Sequence, residues 1–299
     1  MIAIVGIGVV IFSIVGGYLA EGGHLLLLFQ PAELLIIGGA ALGALLIGTS
    51  PSTLKKMTGQ LAGLPKTGPS GQEFREMLLM FADLLNLSRR DGMLSLENHV
   101  EKPEESDIFK KYPTFLRNHH AVSFVSDTLR LILTDPDIQP HDLEALMDVD
   151  IETHHEEETK PSRVLQVIGD SLPGLGIVAA VLGIVITMGA IDGPPSEIGE
   201  KVGAALVGTF LGVLLSYGFV QPIANNLANK ADAWGRYYLG LKQGLLAFHK
   251  GCPPAVAVEF ARRTIYSHVR PSFSELEAAV RASRGGQGAS QGARAAETA

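Results

Sequence analysis

His154, His155, Glu156, Glu157 and Glu158 form the densest run of proton- and metal-binding side chains in the sequence. Neighbouring residues on a helix point to different faces, so five in a row do not converge on one ion. A solvated acidic helix is the better reading, and His119 and His120 read the same way. No glycine-rich phosphate loop and no nucleophile motif in a suitable context is present. The Gly- and Pro-rich stretch Gly59–Gly71 reads as a linker. Cys252 is the single cysteine, which excludes an internal disulfide and suits a reducing compartment. These residues lead us to expect no enzyme, no cofactor, no metal centre and no nucleic-acid partner.

The chemistry left is that of ions in a bilayer. The chain has 299 residues, 46% hydrophobic and only 18% charged, with 34 glycines. A soluble domain carries about 25% charged residues. Here long apolar runs alternate with polar blocks, so the net charge of −7 averages two environments. A membrane-crossing helix needs about 20 mostly apolar residues. Ile2–Leu19, Ala32–Thr49, Leu172–Ile191 and Val202–Val220 meet that requirement. Ile2–Leu19 has no basic leader and no cleavage site after it, so it reads as a span rather than a signal peptide. Of the 24 Lys and Arg, only Lys201 falls in the short connections Ala20–Pro31 and Asp192–Lys201. The others lie between Lys55 and Arg163 or from Lys230 onward. The positive-inside rule then puts the polar middle block, the C-terminal tail and both termini in the cytoplasm.

Within the spans, chemistry is sparse. The third and fourth have no ionisable residue at their centres. Asp170 lies about one turn before the third deepens, and Glu33 sits at the outer end of the second. A proton path needs a titratable group in the membrane, so a partner must supply it. Thr187, Thr209 and Ser216 are the hydroxyls, each expected to bond back to its own helix. Pro173 and Pro222 mark the inner ends of the third and fourth spans and read as helix boundaries. Gly39 with Gly43 and Gly208 with Gly212 sit at the spacing that lets membrane helices approach closely.

The elements that must position these groups are helical throughout. Phe74, Met77, Leu78, Phe81 and Leu85 predict an amphipathic helix over Gln72–Ser88, stopped by Gly92. A short helix carries Leu96, Glu97 and Val100, another spans Phe115–Leu133, and an acidic one, His141–Glu158, continues toward the third span. Pro222–Lys250 reads as a long helix ended by Pro253 and Pro254. The expected class is an all-α integral membrane protein, four transmembrane helices with a helical cytoplasmic domain. Its divisions are 1–50 (spans one and two), 51–165 (cytoplasmic helices), 166–222 (spans three and four), 223–282 (C-terminal helices) and 283–299 (a disordered tail).

Several blocks carry a family resemblance. Asp170-Ser171-Leu172-Pro173 followed by Gly176-Ile177-Val178-Ala179-Ala180 resembles the third span of the MotA flagellar stator family. Val207-Gly208-Thr209-Phe210-Leu211-Gly212, then Tyr217-Gly218-Phe219 and Pro222, resembles its fourth. Arg89 with Gly92-Met93 and Ser95-Leu96-Glu97, together with Glu144-Ala145-Leu146-Met147-Asp148, resembles its cytoplasmic loop. Ala257-Val258-Glu259-Phe260 and Arg270-Pro271-Ser272-Phe273 resemble its C-terminal region. The likeness runs from the first span to about Arg281.

The resemblance implies a homopentamer around a MotB dimer in the bacterial inner membrane, with a MotB aspartate carrying protons and the rotor protein FliG receiving torque. It places the family's coupling prolines on Pro173 and Pro222, and its rotor-contacting charges on Arg89, or the adjacent Arg90, and Glu97. Asp170, Ala180, Thr187 and Thr209 then belong to the ion path. Sodium-driven relatives carry threonine where Ala180 stands, so a methyl there implies protons. Two other readings fit the composition: an energiser similar to ExbB or TolQ, whose usual three spans are one fewer, and a non-conducting membrane scaffold.

Overall fold

A computed structural model of the chain describes residues 2–65, 68–189 and 191–282. The expected tail from Ser283 lies outside them. Among the described residues, α-helices follow one another: α1 Ile2–Ala20, α2 Leu25–Leu28, α3 Pro31–Gly48, α4 Pro51–Ala62, α5 Gly71–Asp91, α6 Glu97–Glu101, α7 Pro113–Leu116, α8 His119–Thr134, α9 Pro140–Met188, α10 Pro195–Val213, α11 Gln221–His249 and α12 Pro254–Arg263. Short 3₁₀ turns precede α6 and α7, residues 273–282 are helical, and no strand occurs among the described residues. Four stretches are long and apolar enough to cross a membrane: α1, Leu25–Gly48, α9 and Pro195–His249. The protein is an all-α membrane protein with four such crossings.

Two compact units divide the chain, one from segments 2–65 and 156–231, the other from 68–155 and 232–282. In the first, the outward faces are apolar: Phe12 is 79% exposed and Ile47 90%. Those faces suit lipid or another apolar chain. Inside it, α9 and α10 touch through small residues. A methyl built on Gly176 would stand 2.8 Å from the Gly208 carbonyl oxygen, and one on Gly212 only 2.6 Å from that of Leu172. Gly183 meets Ala205 in the same way. The Gly208–Gly212 pair therefore serves packing within the chain. Methyls on Gly39 and Gly43 meet nothing within 4 Å, so that pair is unused here.

The second unit is built around Phe74, Phe81, Phe109, Phe115, Phe124 and Tyr237, all buried. Ser70 and Glu73 form a reciprocal capping box that starts α5, and Gly92, at φ +87°, ends it where a side chain would be strained. The apolar stripe predicted for this helix is buried as expected. The single helix expected over Phe115–Leu133 is instead interrupted after Leu116, because Asn118 caps the next helix by accepting from Ala121 N–H at 3.1 Å. The linker expected from Gly59 begins later: α4 runs to Ala62, started by Pro51 and by Ser50 accepting from Thr53 N–H.

His119 is exposed as expected, but His120 and His154 differ. His120 stacks on His154 with ring centroids 3.7 Å apart, and Tyr238 meets both edge-on. Both are half-buried, so this is a packed aromatic cluster rather than a solvated face. Lys242 is buried and holds Asp148 at 2.7 Å and Glu144 at 3.1 Å. Burial pushes its ammonium down, but hydrogen bonds to the two carboxylates outweigh that and raise it.

Glu259 gives this unit an acid-sensitive clamp. Chiefly the hydrogen bond from Arg262, opposed by partial burial and supported by Arg263, holds its carboxyl at about 2 against an ordinary 4.5. A carboxyl depressed on folding stabilises above the ordinary value and stops doing so as pH falls through the folded one. The melting temperature of the detergent-solubilised protein should therefore decline between pH 4.5 and about 2. Glu259→Gln should flatten that part of the profile while lowering stability at pH 7.

Candidate functional site

Two prolines define the site. Neither is the helix boundary expected from sequence. Pro173 lies inside the unbroken α9, as does Pro161, and Pro222 lies just inside α11. A proline has no N–H to give the carbonyl four residues back, so Pro173 frees the oxygen of Gly169. That oxygen is taken from across the interface: the Ser216 hydroxyl donates to it at 2.6 Å. Ser216 is fully buried, and its bond to another helix overturns the expectation that it bonds back to its own.

Ser216 belongs to Leu214–Val220, a π-helical segment that joins α10 to α11 and ends two residues before Pro222. Such segments interrupt the regular ladder and recur at functional sites. Just beyond it, Gln221 Nε2 donates to Asp170 Oδ1 at 2.8 Å, and Gln166 Nε2 donates to the same oxygen at 3.3 Å. Gly169 gives the room: a methyl there would stand 2.9 Å from Gln221 Cγ. Asp170 is exposed, so it binds the two helices at their margin. The freed carbonyl of α9 and the π-helical segment are thus tied together by Ser216 to Gly169, with Gln221 to Asp170 beside them.

About two turns along α9 the small-residue crossing begins. A methyl on Gly176 would stand 3.3 Å from Thr209 Cα, and one on Gly208 would stand 3.3 Å from Ala180 N. The structure thereby brings Pro173, Ala180 and Thr209 to one interface. Thr187 lies further along α9, buried, with its hydroxyl donating to Gly183 at 2.8 Å as expected. Arg89, Arg90 and Glu97 belong to the other unit, and all three are exposed. Arg90 grips Asp91 through two hydrogen bonds of 2.8 Å, which raises the guanidinium further. Arg89 carries no such pair among the described residues.

Sequence reasoning missed Gly169 and Gln221, whose roles depend on what packs against them. It also set Glu33 at a span end, whereas the side chain is only 8% exposed and faces α10. A signal was available: Glu33, Ile37 and Ala41 recur every four residues, and all three are the buried face of α3.

Residues 4–92 match the family described as motility protein A N-terminal, and residues 117–237 the MotA/TolQ/ExbB proton channel family. Motility protein A of Salmonella typhimurium is 42% identical, covering 95% of this chain and 96% of its own. The chain belongs to the motility protein A family. Motility protein A of Escherichia coli K12 is likewise 42% identical, over 94% and 96%. Chemotaxis protein LafT of Vibrio parahaemolyticus is 38% identical, over 91% and 95%. Among solved structures, MotAB of C. jejuni shares the fold with a TM-score of 0.74 at 20% identity, covering 91% of this chain and 98% of that one. The MotAB stator complex of Bacillus subtilis does so at 0.70 and 23%, covering 86% and 92%. In this motility protein A family member, the matched channel region contains both prolines, Ser216 and the whole α9–α10 crossing.

Proposed function

We propose that this chain is the stator subunit of a bacterial flagellar motor, which with MotB forms a proton channel and turns ion flow into torque. The observation that carries the reading is the Gly169 carbonyl freed by Pro173 and taken by Ser216 of the π-helical segment ahead of Pro222, within a chain of the motility protein A family. Five copies surround a MotB dimer in the inner membrane, and no covalent step is involved. Both termini lie in the cytoplasm. Lys56, Lys160 and Arg163 support that orientation, because they line one cavity of about 500 Å³ beside Gly48 and Ser50, at one end of α3. The division into spans at 1–50 and 166–222 and cytoplasmic helices at 51–165 and 223–282 goes with it.

The mechanism follows from charge neutralisation. A MotB aspartate beside Ala180 and Thr209 is costly to bury charged and cheap to bury protonated. Each protonation therefore changes which packing against Pro173 and its neighbours is favoured. Crossing 100 mV supplies about 2.3 kcal/mol per proton. That exceeds the net worth of one hydrogen bond, about 1 kcal/mol, so the Ser216–Gly169 bond is within reach of a single proton. Asp170 and Gln221 hold the margin of the interface, and Thr187 keeps its hydroxyl on its own helix. Ala180 offers no oxygen to Na⁺, which selects protons.

Torque leaves through Arg89 and Glu97 to the rotor protein FliG. Arg90 is neutralised by Asp91, which makes Arg89 the cation available to a partner. Arg89→Glu should cut swimming speed severely, and Arg90→Glu much less, with speeds and protein levels compared in the same strain.

The test is motility in a strain lacking its own stator, supplied with this chain and a MotB partner while pH and Na⁺ are varied independently. Swimming without Na⁺ that stops when the proton gradient is collapsed is expected. Strict Na⁺ dependence would refute the proton assignment. A stable complex that restores no motility would favour the energiser or scaffold reading.

A further inference from the structure

Glu33 has a burial that the stator reading leaves unused. It stands in the first turn of α3, on the face shared with Ile37 and Ala41, and is 8% exposed. Its Oε2 has neither water access nor a hydrogen-bond partner. Asp83, the other carboxylate buried among the described residues, shows what ordinary burial looks like: it accepts from the Tyr112 hydroxyl at 2.9 Å and faces Lys111 at 3.5 Å. No such donor reaches Glu33 Oε2. The helix dipole favours an acid in the first turn at an exposed site too, so it does not call for burial.

The surroundings indicate what the group can hold. A methyl on Gly208 would touch Glu33 Cγ at 3.4 Å, Ala179 Cβ at 3.2 Å and Ala180 N at 3.3 Å. The side chain thus lies at the α9–α10 crossing, beside Ala180 and next to the residue preceding Thr209. A buried carboxyl oxygen with no donor and no water lacks the hydrogen-bonding partner that a proton would supply. Sodium is a poorer guest, because a hard cation takes several oxygen ligands and Ala179, Ala180 and Gly208 supply no side-chain oxygen.

We infer that Glu33 is a proton-binding site on the outer part of the ion path, a second carboxyl contributed by this chain in series with the MotB aspartate. This rests on the proton-channel reading. Outside water gives a proton to the Glu33 carboxylate, forming an O–H bond. That bond breaks when the proton passes inward to the MotB carboxylate, which leaves Glu33 charged and ready for the next. One proton enters and one leaves per cycle.

The experiment uses the full chain with its MotB partner in lipid vesicles and follows proton uptake driven by a potassium diffusion potential as external pH is varied. Wild type, Glu33→Gln and Glu33→Asp are compared, with complex assembly measured for each. Gln keeps the size and polarity but carries no exchangeable acid proton. It should lose flux on the order of ten-fold or more while assembling normally, and the infrared band of a protonated carboxyl seen in wild type should weaken. Asp should retain part of the flux with a displaced pH profile. Glu33→Gln conducting as wild type, with the same pH profile, overturns the inference. Failure of both variants to assemble overturns it too, because the carboxyl is then a packing element. A wild-type complex that conducts no protons would instead sink the channel reading itself.

Discussion

Pro173→Ala is expected to accumulate in the membrane at normal levels and to lose swimming speed by an order of magnitude or more. Alanine restores an N–H that donates to the Gly169 carbonyl, the oxygen now held by Ser216. The gain is relief of a proline penalty of about 3 kcal/mol, the missing helical hydrogen bond included. That exceeds the roughly 2.3 kcal/mol that one proton delivers across 100 mV. The regular ladder of α9 would then be locked, and a proton could no longer reverse it. Speed traces of tethered or swimming cells, normalised to protein level, measure the effect. Ser216→Ala removes the partner without restoring the ladder and should cost less. If Pro173→Ala swims normally, the freed carbonyl plays no part in coupling.

Gly212→Val is expected to abolish assembly. Its first carbon would stand 2.6 Å from the Leu172 carbonyl and 2.9 Å from Gly176 Cα, and both obstacles are backbone. Side-chain overpacking alone costs about 1–3 kcal/mol, and here α9 and α10 must separate along the whole crossing. Gly39→Val supplies the comparison, because a side chain there meets nothing in this chain. Size-exclusion profiles of the two variants purified with MotB should differ: Gly212→Val falls apart and Gly39→Val elutes as wild type. Loss of assembly in Gly39→Val would mean that the Gly39–Gly43 face is covered by a neighbouring chain.

The four crossings and the amphipathic α5 were legible because hydrophobicity alone produces them: run length for the first, an apolar stripe at helical spacing for the second. Gly92 was legible as a stop because its backbone conformation is one that other residues rarely adopt. What the sequence concealed depends on partners distant in the chain. Pro173 looks like a boundary until a hydroxyl 43 positions later, Ser216, is seen replacing its missing donor. Asn118 looks like an ordinary helix interior until its side chain takes the Ala121 N–H. Glu33 looks like a water-facing end because it follows Gln30, Pro31 and Ala32 at the start of the span, while its neighbours in space are α9 and α10. Ala180 and Thr209 came from family resemblance, and their meeting at one crossing comes from glycines too small to keep the helices apart.

The most direct measurement is proton flux through the purified complex of this chain and MotB in sealed vesicles, in sodium-free buffer, under an imposed potential. Acidification of the lumen that vanishes with the Pro173→Ala chain or with a MotB lacking its aspartate is the predicted result. A well-assembled complex that passes no protons, or passes ions only when Na⁺ is present, would contradict the account.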